Sequence, residues 1–87
     1  MNMMAELSLY PLRDDFVEPV DALLTLLNAE PGLEITTNRM STLVFGEQTL
    51  VLKTIDRALR ELTEGYGKVS LVCKFLPDAE RTFNGYR

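Results

Sequence analysis

Residues 33–46 read Leu33-Glu34-Ile35-Thr36-Thr37-Asn38-Arg39-Met40-Ser41-Thr42-Leu43-Val44-Phe45-Gly46, two β-patterned runs interrupted by a short polar break. In the first run Leu33, Ile35 and Thr37 alternate with Glu34, Thr36 and Asn38, the period of two expected of a strand with one buried face. In the second, spanning 41–46, Leu43 and Phe45 are expected on one face and Thr42 and Val44 on the other. Two such runs this close together pair as an antiparallel hairpin.

On both sides of the hairpin the period changes from two to that of a helix. Upstream, Phe16, Val20, Leu23, Leu24 and Leu27 form one apolar stripe, closed by Glu30-Pro31-Gly32. Asp15 and Glu18 have the spacing of a capping box, and Pro19 is tolerable only if it falls in the first turn. Downstream, a helix is expected from Gln48 or Thr49 to Thr63, burying Val51, Leu52, Ile55, Leu59 and Leu62 and capped by Gly65. Each helix is flanked by a further strand. Residues 5–12 alternate Ala5, Leu7 and Leu9 with Glu6, Ser8 and Tyr10 until Pro11. Residues 69–75 alternate Val69, Leu71, Cys73 and Phe75 with Ser70, Val72 and Lys74.

The order is therefore βαββαβ, an α+β chain of the ferredoxin-like type, with a four-stranded antiparallel sheet and two helices on one face. One domain is expected over residues 1–76, with 77–87 as a C-terminal tail. Alternation places Leu7, Leu9, Ile35, Leu43, Phe45, Val69, Leu71, Cys73 and Phe75 beneath the helices. The open face is left with Glu6, Ser8, Tyr10, Glu34, Thr36, Asn38, Thr42, Val44, Ser70, Val72 and Lys74. Pattern alone admits two accounts of that face, an ordinary solvated sheet surface or a polar-lined pocket, and favours the first.

Charge and composition narrow the chemistry. Thirteen acidic residues against nine basic give a net charge of −4, which disfavours nucleic acid as a partner. No stretch reaches the roughly 18 apolar residues of a membrane span, so no membrane insertion is expected. Without a basic, apolar leader pattern at Met1-Asn2-Met3-Met4, and with Cys73 as the single cysteine, a cytoplasmic protein is expected. There is no histidine, hence no usual general base and no zinc constellation. Asp14-Asp15 fits a turn, Gly65-Tyr66-Gly67 fits a helix exit, and Cys73 fits an inert core thiol. A binding protein is expected, with no enzyme activity, no metal and no catalytic cofactor. RNA recognition would need paired aromatics where only Tyr10 stands, and an acylphosphatase-like anion loop would need glycines absent near Arg13.

Ser8-Leu9-Tyr10-Pro11-Leu12 followed by Asp14-Asp15-Phe16 resembles the opening of the YkoF-like thiamine-binding domains. The stretch Thr37-Asn38-Arg39-Met40-Ser41-Thr42-Leu43-Val44-Phe45-Gly46 resembles the hairpin of the same family, and the likeness extends to about Phe75. The resemblance implies a ferredoxin-like domain that binds thiamine or its hydroxymethylpyrimidine part without transforming it. It implies a single-domain member assembled as a dimer or tetramer through its sheet. Ser8, Tyr10, Asn38, Ser41 and Thr42 then become the candidate ligand-binding residues, with Glu6 and Glu34 as partners for a thiazolium cation. An ACT-like regulatory or structural oligomerisation module without this ligand is the alternative.

Overall fold

A computed structural model of the chain describes residues 1–80. The elements run β1 (Asn2–Pro11), α1 (Val17–Asn28), β2 (Glu34–Thr37), β3 (Thr42–Glu47), α2 (Gln48–Tyr66) and β4 (Val69–Pro77). They form one antiparallel sheet of order β2-β3-β1-β4, the ferredoxin-like α+β arrangement. Each helix carries the chain over one intervening strand, so β1 and β3 become the two central strands.

The core lies between the sheet and the helices. Met3, Ala5 and Leu7 of β1 and Val44 of β3 meet Leu23 and Leu27 of α1 and Val51, Ile55, Ala58 and Leu62 of α2. Burying a large aliphatic side chain of this kind stabilises the fold by about 1.5–3 kcal/mol. Strand β1 starts earlier than its alternation suggests, because Met3 and Met4 are both apolar and mask the period. The ladder separates them: Met3 pairs with Gly46 on the helix side, and Met4 with Phe45 on the open side.

The facing of β3 differs from the pattern-based expectation. Ala5 pairs with Val44 and Leu7 with Thr42, so Thr42 and Val44 lie under the helices. Leu43 and Phe45 lie on the open face, opposite Glu6 and Met4. The reason is the hairpin: Thr37 pairs with Thr42 across a four-residue loop, so odd-numbered residues of β2 share a face with even-numbered residues of β3. Hydropathy favours Leu43 and Phe45 as core, yet the smaller Val44 and Gly46 fit beneath the helices. A Cβ built on Gly46 would stand 3.0 Å from the Gly32 carbonyl oxygen and 2.6 Å from Leu33 Cδ2.

Helix α1 begins at an N-cap, Phe16, that makes no side-chain capping hydrogen bond. Asp15 Oδ1 instead accepts from Val17 N at 3.0 Å, one residue into the helix. Pro19 sits in the first turn, where its missing N–H costs nothing, and its ring is buried. Phe16 is exposed and takes no part in the apolar stripe.

Helix α2 is capped by Glu47, whose Oε2 accepts from Leu50 N at 3.1 Å. Its buried stripe is Val51, Thr54, Ile55, Ala58 and Leu62, with Leu52 exposed. Thr54 can be buried because its hydroxyl donates to the Leu50 carbonyl at 2.7 Å. The helix also outlasts its expected end. Gly65 is helical, Tyr66 packs against the core, and the turn falls to Gly67 at φ 85°. Burying the Tyr66 ring, with the Arg13 guanidinium 5.5 Å from its centroid, offsets the roughly 0.5–1 kcal/mol that a helical glycine costs. Among the described residues, no helix is long and apolar enough to cross a membrane.

Candidate functional site

The two ladders of β1 have different lengths. Pairing with β3 runs from Asn2 to Leu7, while pairing with β4 continues from Met3 to Pro11. Past Leu7, β1 therefore has β4 on one side and the β2–β3 loop, residues 38–41, on the other. Two depressions meet at this end of the sheet, and Ser8, Tyr10, Met40 and Ser41 line both.

The first is a notch of about 200 Å³ that reaches toward α1. Its apolar floor includes Leu7, Leu9, Val20 and Leu23, and its rim includes Thr37, Asn38, Arg39 and Thr42. The second opens on the sheet face opposite the helices and has a volume of about 300 Å³. Its lining adds Glu6, Val72 and Lys74 to the shared residues. The open-face depression reaches the lower bound of the usual small-molecule range of about 300–1,000 Å³.

The polar groups there are already organised. Glu6 stands opposite Lys74 in the β1–β4 ladder. Its Oε1 lies 3.7 Å from Lys74 Nζ, and its Oε2 accepts from Ser41 Oγ at 3.0 Å. Ser8 Oγ donates a long bond of 3.4 Å to the Met40 carbonyl, tying the loop back to β1. Tyr10, opposite Ser70 and 55% exposed, supplies a flat wall.

The expected site residues separate into groups. Ser8, Tyr10, Ser41 and Glu6 come together around the open-face depression. Thr42 does not join them, because it lies on the helix side opposite Leu7 and is 7% exposed. Its reach is limited to the notch. Asn38 is a loop residue: its Oδ1 accepts from Met40 N at 2.7 Å and Ser41 N at 2.8 Å, and its own N–H donates to the Ser41 carbonyl at 3.0 Å. It therefore shapes the loop that presents Ser41. Glu34 is on the open face, but it is opposite Phe45 on β2 and does not line the depression.

Met40, Val72 and Lys74 are the lining residues of the open-face depression that the sequence left unselected. The opposite charge of Lys74 to Glu6 was visible, but only the register makes them cross-strand neighbours. Cys73 faces the helix side opposite Leu7, and burial pushes its thiol pKa up, which disfavours the nucleophilic thiolate. Among the described residues no group of His, Cys, Asp and Glu could hold a metal ion.

No family profile and no curated protein matches the chain. Solved structures do. A hypothetical protein from Methanocaldococcus jannascii is 24% identical with a TM-score of 0.79, covering 93% of this chain and 87% of that one. A Thermotoga maritima protein, "putative thiamine biosynthesis/salvage protein", is 16% identical with a TM-score of 0.78, covering 86% of this chain and 82% of its own. A domain of unknown function from Bacillus cereus is 20% identical with a TM-score of 0.74, covering 93% and 82%. At these identities the likeness is one of fold.

Proposed function

We propose that the chain is a non-catalytic binding protein for an aminopyrimidine, namely thiamine or its hydroxymethylpyrimidine moiety, held in the open-face depression. The observation that carries this reading is the convergence of Glu6, Ser8, Ser41 and Tyr10 on one hollow of suitable size. An aminopyrimidine offers an exocyclic amine that donates and ring nitrogens that accept. A carboxylate at Glu6 can take the amine, the hydroxyls of Ser8 and Ser41 can reach the ring nitrogens, and Tyr10 can lie against the ring. The Thermotoga maritima protein of the same fold carries a name pointing to thiamine biosynthesis or salvage, which supports the ligand class.

Binding is preferred to catalysis because the chain has no histidine and its single thiol faces the covered side. The open face also carries exposed Val72 and Leu76. These favour a second copy of the chain against the sheet, giving a dimer or tetramer that closes the depression. The same apolar residues support the second reading, an ACT-like oligomerisation module that binds no such ligand.

Isothermal titration calorimetry with thiamine and with hydroxymethylpyrimidine distinguishes the two. Saturable heat with at least one compound, lost in Tyr10→Ala, is expected. A folded sample that gives no heat with either compound leaves the oligomerisation module as the better account. Sedimentation velocity reports the assembly, for which a dimer or tetramer is expected.

A further inference from the structure

We propose, resting on the aminopyrimidine reading above, that Lys74 makes the depression a charge filter. It admits pyrimidines that are neutral or carry an anionic substituent, and it disfavours those carrying a fixed positive charge. The ladder sets Lys74 directly across from Glu6, and both oxygens of that carboxylate are engaged, one by Lys74 Nζ at 3.7 Å and one by Ser41 Oγ at 3.0 Å. The formal charges of the lining therefore cancel. A thiazolium entering here meets the Lys74 ammonium beside a carboxylate whose charge is already offset, whereas a neutral amine needs only the lone pairs those oxygens keep. The other carboxylate expected to receive it, Glu34, lies outside the lining.

The ammonium is also free to act outward. The Lys74 side chain is 81% exposed on the sheet-edge strand β4. An exposed pair at this separation is weak, so the long stem can swing from Glu6 to a phosphate at little cost. Arg39, exposed on the β2–β3 loop and lining the adjoining notch, adds a second cation at this end of the sheet. Together they suit an aminopyrimidine whose hydroxymethyl arm is esterified with phosphate.

The test is calorimetry at low and at physiological ionic strength with three probes: hydroxymethylpyrimidine, its phosphate ester and thiamine. Wild type, Lys74→Met and the distant control Lys53→Met are compared. In wild type the phosphate ester binds most tightly and thiamine least, and only the ester weakens markedly as salt rises. Lys74→Met weakens the ester by about fivefold to tenfold and strengthens thiamine by about twofold to fivefold. Affinity for hydroxymethylpyrimidine shifts less than for either charged probe, because it carries no net charge for the ammonium to attract or repel. If hydroxymethylpyrimidine binds but Lys74→Met moves all three probes equally, or none, the filter is wrong and the aminopyrimidine reading stands. If none of the three binds to folded wild type, both fall.

Discussion

Leu7 and Thr42 are cross-strand partners on the helix-covered face of the sheet, 1% and 7% exposed. One residue earlier in the loop, Ser41 sends its hydroxyl to Glu6 on the opposite face. Adjacent residues thus serve opposite sides of the same sheet; Ser41 lines both depressions and Thr42 only the notch, so it is Thr42 that tells them apart. Ser41→Ala removes a hydrogen bond to a carboxylate and a group available to ligand, worth about 1.5 kcal/mol or roughly tenfold in affinity. Thr42→Val touches only the notch and is expected to change affinity by less than about twofold. Calorimetry on both variants decides: a larger loss in Thr42→Val places the ligand in the notch.

Asn38 is expected to act through the loop backbone. Its Oδ1 receives two N–H groups, at 2.7 and 2.8 Å. Asn38→Ala leaves both without this acceptor, at a cost of about 0.5–2 kcal/mol by analogy with a helix cap. Urea unfolding measures the loss. Asn38→Asp retains the acceptor and should recover most of it.

Two glycines near the end of α2 should respond with opposite signs. Gly65 lies inside the helix with open space where a Cβ would go, so Gly65→Ala should stabilise by about 0.5–1 kcal/mol. Gly67 has φ 85°, a conformation that L side chains rarely adopt. Gly67→Ala should therefore destabilise by about 1 kcal/mol or more. Thermal melts of both variants test the position of the helix end, since a helix stopping at Thr63 would reverse the assignment.

Acid should weaken the start of α2. The hydrogen bond from Leu50 N holds the Glu47 carboxyl below its ordinary value near 4.5. A depressed folded pKa contributes stability that is fully present above the unfolded value and is lost as pH falls through the lower, folded one. The contribution of Glu47 should therefore decline below about pH 4.5. Glu47→Gln should be less stable at neutral pH and flatter across that window, as followed by urea midpoints. An identical pH profile in both proteins removes Glu47 as a source of the dependence.

Much of the architecture was legible in the residues. The period-two runs around Leu7 and Leu71, the helical stripes through Leu23–Leu27 and Val51–Leu62, and the stop at Pro31-Gly32 all reflect local rules. They specify βαββαβ without any long-range information. Less of the site was legible. Ser8, Tyr10 and Glu6 were placed on the open face by alternation along β1, whose alternating leucines leave little doubt about phase.

The facing of β3, the pairing of Glu6 with Lys74 and the loop role of Asn38 were decided only by the tertiary structure. In β3, Thr42-Leu43-Val44-Phe45 is apolar at three consecutive positions, so hydropathy cannot fix which face is buried. The length of the loop from Thr37 to Thr42 and the close packing at Gly46 fix it instead. Sequence determines which residues can belong to a strand, because alternation is a property of a few neighbouring residues. Register is a property of two strands at once, and a shift of one residue turns every side chain to the other face. The proposed binding face of this protein lies on that second level.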